Sequence, residues 1–329
     1  MRFGIEFVPY KPVDEIVGLT KKAEEAGFNY CWITDHYNNR NVYSFLTAIA
    51  RNTQRIELGP GVTNPYHVNP AVTASAIASI DEISNGRAIL GISAGDRTVL
   101  SSLGIELLKP LTTISESIEI IQKLLAGERV NFDGKIFKMR GARLNFKPKR
   151  KIPIYLGAQG PEMLRLAGKV SDGVLINASH PRDLDYAVNG IKRGVDEAGR
   201  KLEELDIVAY TSFSVADSAE KAKGAAKPVA AFIVASSPPV VLERHGIAAE
   251  DAGRVRDAIA SGKFGDAIAG VNDAMLNAFC IYGAQTDCIK RIREIAKIGV
   301  TQIVVGSPIG PDPTASIEII RREIMPSFG

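Results

Sequence analysis

Strand-like and helix-like segments alternate from the first residues of this chain, and that rhythm restricts the fold more than any other feature. Phe3 to Val8 reads as a near-continuous apolar strand and Val13 to Ala26 as a helix, with Pro12 suited to its first turn and Gly27 to its end. Tyr30 to Ile33 is a second strand, a polar loop leads to a helix near Val42 to Asn52, and Ile56 to Leu58 is a third strand. Asn69 as N-cap, Pro70 at the first helical position and the stripe Ala76, Ile77, Ile80 and Ile83 mark the next helix, and Arg87 to Ile92 the fourth strand. Ile154 to Leu156, Val174 to Ile176, Ile207 to Ser212 and Gln302 to Val305 bring the strands to eight. Strand followed by helix, repeated, requires parallel strands joined by crossovers, and eight repeats predict an α/β fold of the (β/α)8 TIM-barrel type. The 329 residues are then expected to form a single domain, because α/β barrels routinely exceed the usual domain length.

Two stretches interrupt the rhythm. Arg129 to Leu144 is strand-like around Asp133-Gly134, and Ala225 to Gly283 is long, Ala-rich and helical in character. Enlarged strand-to-helix loops at the C-terminal face of a barrel build substrate pockets, so both are expected as insertions at that face, with packing on a neighbouring subunit as the alternative.

Composition removes several function classes. The formal charge of +3 arises from 40 basic and 37 acidic residues without a polybasic run, so no nucleic-acid partner is expected and only a mild attraction for an anionic ligand. No apolar run approaches the length of a membrane span and no signal-peptide pattern opens the chain, so neither membrane insertion nor export is expected. Cys31, Cys280 and Cys288 form no CxxC pair and are odd in number, which fits a reducing cytoplasm rather than a disulfide framework. His36, His67, His180 and His245 include no HExxH spacing and no cysteine partners at zinc-site spacing, so no metal is expected.

Chemistry concentrates where strands meet their following loops. Gly59-Pro60-Gly61-Val62-Thr63-Asn64-Pro65-Tyr66 follows the third strand and has the spacing of neither a dinucleotide fingerprint nor a P-loop; alone it is a turn. Asp35-His36 follows the second strand, where a barrel places groups that hold a cofactor ring or exchange a proton, although a loop histidine is also a common structural residue. After the fourth strand, Gly91-Ile92-Ser93-Ala94-Gly95-Asp96-Arg97-Thr98 offers small residues for approach to a flat ring, with Asp96 and Thr98 as polar anchors. Gly157-Ala158-Gln159-Gly160-Pro161-Glu162 joins the fifth strand to a helix whose positive end suits an anion, though Gly-Pro at a helix start is also common without a ligand. Glu6, between Ile5 and Phe7 in an apolar strand, is either a buried proton donor or one half of a structural ion pair. Tyr10, Trp32 and Phe45 are candidates for a pocket wall, with the core as the more common place for such residues.

Taken together, Thr34-Asp35-His36, the run from Gly59 through Asp96, and Leu156 to Glu162 resemble the coenzyme F420-dependent branch of the bacterial-luciferase-like superfamily, over the whole chain. Arg2-Phe3-Gly4-Ile5-Glu6-Phe7, Gly61-Val62-Thr63-Asn64-Pro65-Tyr66 and Ala78-Ser79-Ile80-Asp81-Glu82-Ile83-Ser84-Asn85-Gly86-Arg87 are similar to the methylenetetrahydromethanopterin reductases of methanogenic archaea. That resemblance implies a deazaflavin at the C-terminal mouth of the barrel, backed by a non-prolyl cis peptide at Gly61-Val62. By the same likeness, Asp35 and His36 match the ring-edge pair, and Ala94, Gly95, Asp96 and Thr98 match the segment after strand four. Gly157, Ala158, Gln159 and Gly160 match the segment receiving the cofactor's tail, with Asn177 as a further cofactor contact. Glu6 matches a glutamate that protonates the leaving nitrogen. The implied reaction passes a hydride between reduced F420 and methylenetetrahydromethanopterin to give methyltetrahydromethanopterin, and the implied assembly is a homodimer or homotetramer. Another F420-dependent dehydrogenase acting on an alcohol or sugar phosphate, an FMN-dependent monooxygenase, and a non-catalytic flavin-binding barrel remain the alternatives, since fold analogy does not separate them.

Overall fold

A computed structural model describes residues 1–329. The chain forms two compact units, one of Arg2–Ile176 with Tyr186–Val208, the other of Asn177–Asp185 with Ala209–Gly329 and Met1. The first unit carries β1 (Arg2–Phe7), β2 (Tyr30–Ile33), β3 (Glu57–Pro60), β4 (Leu90–Ile92), β5 (Ile154–Gly157) and nearly all of β6 (Gly173–Asn177). Their pairing is parallel: Glu6 stands beside Trp32, Trp32 beside Gly59, Gly91 beside Tyr155 and Leu156 beside Val174. β3 and β4 meet through bridges at Leu58 with Ala88 and Thr63 with Ile92. The second unit holds most of β7 (Asp206–Val215) and all of β8 (Gln302–Ile309), neighbours in the sheet, with the Thr211 hydroxyl donating to the Val304 carbonyl at 2.8 Å. These are the eight strands of a (β/α)8 barrel, alternating with helices in chain order.

Local chemistry sets the boundaries. Asn69 accepts the Ala71 amide at 2.9 Å, with Pro70 in the first turn of the helix Pro70–Ile83. Asn41 does the same for Ser44 at 3.1 Å in the helix Val42–Asn52. Gly27, at φ 94°, turns the chain out of the helix Val13–Glu25, and the Phe28 amide reaches back to the Ala23 carbonyl at 3.0 Å. The strand expected over Arg87 to Ile92 is regular only from Leu90. Arg87 ties the preceding residues to other loops, its guanidinium donating to the carbonyls of Ser84 and Ile56 at 2.7 Å and of Ala50 at 2.9 Å.

The two interruptions differ from their expected form. Val130–Asp133 and Lys138–Ala142 make an antiparallel hairpin, but it follows the helix Pro110–Leu125 and precedes β5, so it enters a helix-to-strand connection rather than a strand-to-helix loop. Its tip docks on Glu116 of that helix, whose carboxylate accepts the amides of Lys135, Ile136 and Phe137 at 2.7, 3.0 and 2.9 Å. The helical insertion begins at Ala219, where Ser218 caps the helix Ala219–Ser236, ahead of the expected Ala225. It continues through Pro239–Arg244, Ala249–Ala260, Phe264–Gly270 and Asp273–Phe279 around a core of Ala226, Ala230, Leu242, Val255 and Met275. Cys280–Gly283, expected within the helical stretch, is a strand paired in parallel with Ser212–Val215. No helix is long and apolar enough to cross a membrane.

Candidate active site

The interior of the first unit can be read from side chains that meet across non-adjacent strands. Trp32 on β2 and Tyr155 on β5 contact edge to face with ring centroids 5.1 Å apart, so both point inward, and Glu6, in register with Trp32, shares that face. The N-terminal end is closed by a polar plug. Arg2 pairs with Asp206 at 2.7 Å and donates to the Tyr30 hydroxyl at 2.9 Å, while the Tyr155 hydroxyl donates to the second Asp206 oxygen at 3.0 Å. Burial, then the neighbouring Asp206 charge, pushes the Tyr155 phenol far up, which keeps it a donor. Tyr155, Asp206 and Arg2 were not legible as a group because three separate strand ends supply them.

Further along the same interior the wall is made of small residues. The Gly61–Val62 peptide is cis, in agreement with the resemblance. A Cβ at Gly91 would lie 3.0 Å from a Val62 γ-carbon and 2.2 Å from the Pro60 carbonyl oxygen, and one at Gly157 would lie 3.6 Å from both Val62 γ-carbons. Val62 therefore spans the two glycines and leaves a smooth shelf that larger residues would roughen. Gly95, at φ 80°, packs on Asn64, whose side chain lies 3.1 Å from where its Cβ would stand, so the loops after β3 and β4 form one surface.

Asp35 and His36 follow β2 into this region, and His36 is exposed. Asp35 faces a residue the motif search passed over: His67 Nε2 lies 3.9 Å from Asp35 Oδ2, and His67 Nδ1 lies 3.0 Å from Asn64 Oδ1. The Asn-x-x-His spacing was visible in the sequence, but nothing local ties it to Asp35. The Thr34, Tyr43 and Thr63 hydroxyls are buried without a hydrogen bond of normal geometry, with Tyr43 close to both the Asp35 charge and the Thr63 hydroxyl. Buried hydroxyls are nearly always paired, so groups left without well-formed bonds fit a ligand that brings its own polar edge.

Glu6 is 5% exposed. Its charge lies close enough to Cys31 to add to the effect of burial, which holds that thiol at about 12. All three cysteines are buried and free. Trp32 and Phe45 are fully buried core residues, whereas Tyr10 is 63% exposed.

The remaining expected cofactor residues are placed unevenly. Ala94 and Gly95 are half-buried and Thr98 is exposed. The Asp96 carboxylate accepts the amides of Thr98 and Val99 at 2.7 and 3.0 Å, capping the helix Arg97–Ser102, so it is already occupied as an acceptor. Of the segment Gly157 to Gly160, the Ala158 amide donates to the Leu175 carbonyl at 3.1 Å and is spent on strand pairing. An anion there is left to the helix Pro161–Val170, which starts at Gly160 without a side-chain cap and with open space at that glycine. Gln159 is exposed. Asn177, at the end of β6, is exposed and belongs to the second unit. In that unit His245 and Arg244 both hold Asp183 at 2.6 Å, and burial, then Arg291, lowers His180 to about 4. No group of side chains is arranged to hold a metal ion.

The chain belongs to the family described as luciferase-like monooxygenase, whose pattern matches residues 2–302. It is 53% identical to the 5,10-methylenetetrahydromethanopterin reductase of Archaeoglobus fulgidus, covering all of both chains. Identity to the enzyme of the same name from Methanolobus tindarius is 54%, over 99% of this chain and all of that one. The structure of the coenzyme F420-dependent tetrahydromethanopterin reductase from Methanopyrus kandleri superposes with a TM-score of 0.97 at 45% identity, covering 100% of this chain and 99% of that one. Within the luciferase-like family, the chain belongs to these reductases.

Proposed function

We propose that this chain is a coenzyme F420-dependent 5,10-methylenetetrahydromethanopterin reductase. The reaction is a reversible hydride transfer to the methylene carbon bridging two nitrogens of tetrahydromethanopterin: a C–H bond forms, one C–N bond breaks, and the freed nitrogen takes a proton. Bound F420 supplies or receives the hydride. The protein's own residues orient two flat molecules and deliver the proton, the tasks a barrel mouth serves well.

Val62, Gly91 and Gly157 fit the ring's face, because no Cβ rises from either glycine and the Val62 side chain fills the gap between them. Asp35 and His36, with the poorly bonded hydroxyls of Thr34, Tyr43 and Thr63, fit its polar edge. Gly61, Ala94 and Gly95 complete the wall, with Asp96 fixing the start of its helix for Thr98. The uncapped helix start at Gly160 and Pro161 fits the anionic tail, flanked by Gly157, Ala158 and Gln159, with Asn177 as a further contact. Glu6 is assigned as the acid: it is buried on the strand face that lines the interior, where a carboxyl can deliver a proton to the leaving nitrogen. Residues 1–329 then work as one barrel domain in a homodimer or homotetramer in the cytoplasm.

The observation that carries this reading is full-length identity above half to enzymes of one named activity, and the buried Glu6 and the glycine shelf are consistent with it. Titrating the protein with F420 and with FMN, then following F420 absorbance with methylenetetrahydromethanopterin, tests it. Binding of F420 and turnover with the pterin is the expected result; a preference for FMN, or turnover only with an alcohol or sugar phosphate, overturns it.

A further inference from the structure

His180 stands in the connection from β6 to the helix Pro181–Glu197, shortly beyond Asn177 and in the same unit, and none of the roles assigned above uses it. Its ring is fixed from two sides. The Arg182 backbone amide donates to Nδ1 at 3.1 Å, so the His180 side chain caps the first turn of that helix. A ring nitrogen that accepts a hydrogen bond carries no hydrogen, so the neutral imidazole bears its hydrogen on Nε2. His245 meets the ring edge to face, with centroids 4.8 Å apart. His245 is itself held, its Nε2 lying 2.6 Å from Asp183 Oδ2 and its ring centroid 5.7 Å from that of Phe279.

The surroundings keep the His180 ring neutral. Burial acts first, then the Arg291 guanidinium from the helix Gln285–Ala296, then His245; Arg182 adds to them, and the imidazole is held at about 4. Asp183 acts the other way, but its two oxygens are engaged by Arg244 Nη1 and His245 Nε2, each at 2.6 Å. Protonating Nδ1 would also break the cap and set a positive charge at the positive end of the helix dipole. What remains is Nε2–H, an uncharged donor of fixed tautomer that makes no hydrogen bond within the protein. It sits on a half-buried ring just past the C-terminal end of a barrel strand, where ligands are received.

We propose that His180 is a further substrate-binding residue: its Nε2–H donates to the ring carbonyl oxygen of the pterin, while the Arg182 amide and His245 hold the imidazole in place. An uncharged donor suits an uncharged carbonyl, which needs direction rather than charge. An anionic group would call for an imidazolium, which these surroundings disfavour. The contact orients the substrate without bringing a second exchangeable acid to the reaction. The helical insertion supplies the support, since His245 follows its helix Pro239–Arg244 and Phe279 ends its helix Asp273–Phe279. This rests on the pterin being the substrate.

Two substitutions in the full-length protein divide the ring between its nitrogens. His180→Asn sets an amide oxygen near the place of Nδ1 and keeps the cap, with nothing at the place of Nε2; His180→Gln reaches that place with an amide N–H and loses the cap. His180→Asn should raise KM for methylenetetrahydromethanopterin about 5- to 150-fold, as expected when a buried acceptor is left unpaired, with kcat, the Kd for F420 and the melting temperature little changed. His180→Gln should recover most of the KM and lower the melting temperature. Nitrogen-15 NMR, with the native ring assigned by the signal lost in His180→Gln, should show hydrogen on Nε2 and a neutral ring at about pH 6, where an ordinary histidine is mostly charged. A His180→Asn protein with native KM, or one whose KM rises only together with a fall in melting temperature, overturns the proposal, as does hydrogen on Nδ1. Absence of pterin turnover in the native protein fails the underlying reading and this contact with it, whereas native turnover with an unchanged KM in His180→Asn fails this contact alone.

Discussion

Replacing Gly157 with alanine probes the shelf at one atom's resolution. The added methyl would lie 3.6 Å from both Val62 γ-carbons and 3.0 Å from the Ser93 Cβ. Carbon atoms rest at about 3.5 to 4.0 Å, so the first contacts are ordinary and the second asks Ser93, which is half-buried, to yield by a few tenths of an ångström. The protein should fold, losing at most about 1 to 3 kcal/mol, the usual cost of one extra carbon in a packed site. Cofactor binding should suffer more selectively. A methyl standing between Val62 and the ring lifts the ring from its support, and a loss of about 1 to 3 kcal/mol corresponds to roughly 5- to 150-fold in Kd. F420 fluorescence titration reads the affinity, and a melting curve without cofactor reads the fold. Gly91→Ala is the contrast, since its methyl would meet the Pro60 carbonyl oxygen at 2.2 Å and must displace backbone, lowering the melting temperature even without cofactor. A folded Gly157→Ala protein with unchanged F420 affinity refutes the placement of the ring on this shelf.

Glu6→Gln keeps shape and removes the titrating proton, so turnover should fall roughly 10²- to 10⁴-fold with F420 affinity nearly unchanged; a lowered melting temperature with normal turnover would make Glu6 a structural carboxylate. Gly160→Glu places a negative charge at the uncapped helix start, and F420 Kd should rise there, whereas unchanged affinity moves the anionic tail elsewhere. Glu24 accepts the amides of Ile56, Arg55 and Gln54 at 2.9, 2.7 and 2.9 Å. Burial alone would raise its pKa, but these bonds together hold it below the ordinary carboxylate range. A depressed pKa stabilises the fold above the unfolded value, near pH 4 to 5 for an ordinary glutamate at about 4.3, and that stability is lost as pH falls through the folded value. The melting-temperature gap between native and Glu24→Gln proteins should therefore shrink on acidification; a gap independent of pH contradicts the assignment.

What the sequence made legible was whatever depends on neighbours in the chain. Tyr30–Ile33 and Val42–Asn52 have the expected limits, and Asn69 with Pro70 opens its helix as expected, because apolar runs and caps are local signals. β7 and β8 run on to Val215 and Ile309, past the expected Ser212 and Val305. For β7 the cause is Cys280–Gly283, a partner nearly seventy positions along the chain that no local pattern announces. Glu6 was legible as a carboxylate in an apolar strand, and Asp35 by its place after β2. The engagement of Asp96 as a cap had a local signature, an aspartate directly before a helix, that its reading as a cofactor anchor concealed. The Ala158 amide and the Asn64–His67–Asp35 contact were not legible, since each depends on loops from different strands meeting.

The distribution of satisfied polar groups separates the two ends of the first unit by task. At the N-terminal end both Asp206 oxygens are engaged, by Arg2 and Tyr155, and Glu24 and Arg87 spend their groups on backbone. Two atoms near that end also lack partners, Asp81 Oδ1 and Arg150 Nε, but each belongs to a side chain bonded through another atom: Asp81 Oδ2 accepts the Lys149 amide at 2.8 Å, and Arg150 pairs with Glu57 at 2.8 Å. Thr34, Tyr43 and Thr63 differ, because the poorly bonded hydroxyl is the whole polar content of each side chain. Leaving a buried donor unmade costs about 1 to 3 kcal/mol, so poorly bonded hydroxyls of this kind favour a ligand that brings a polar edge. Under the proposed assignment, the satisfied end holds the barrel together and the other end receives the ligand, the division expected of a barrel whose chemistry lies at the C-terminal face.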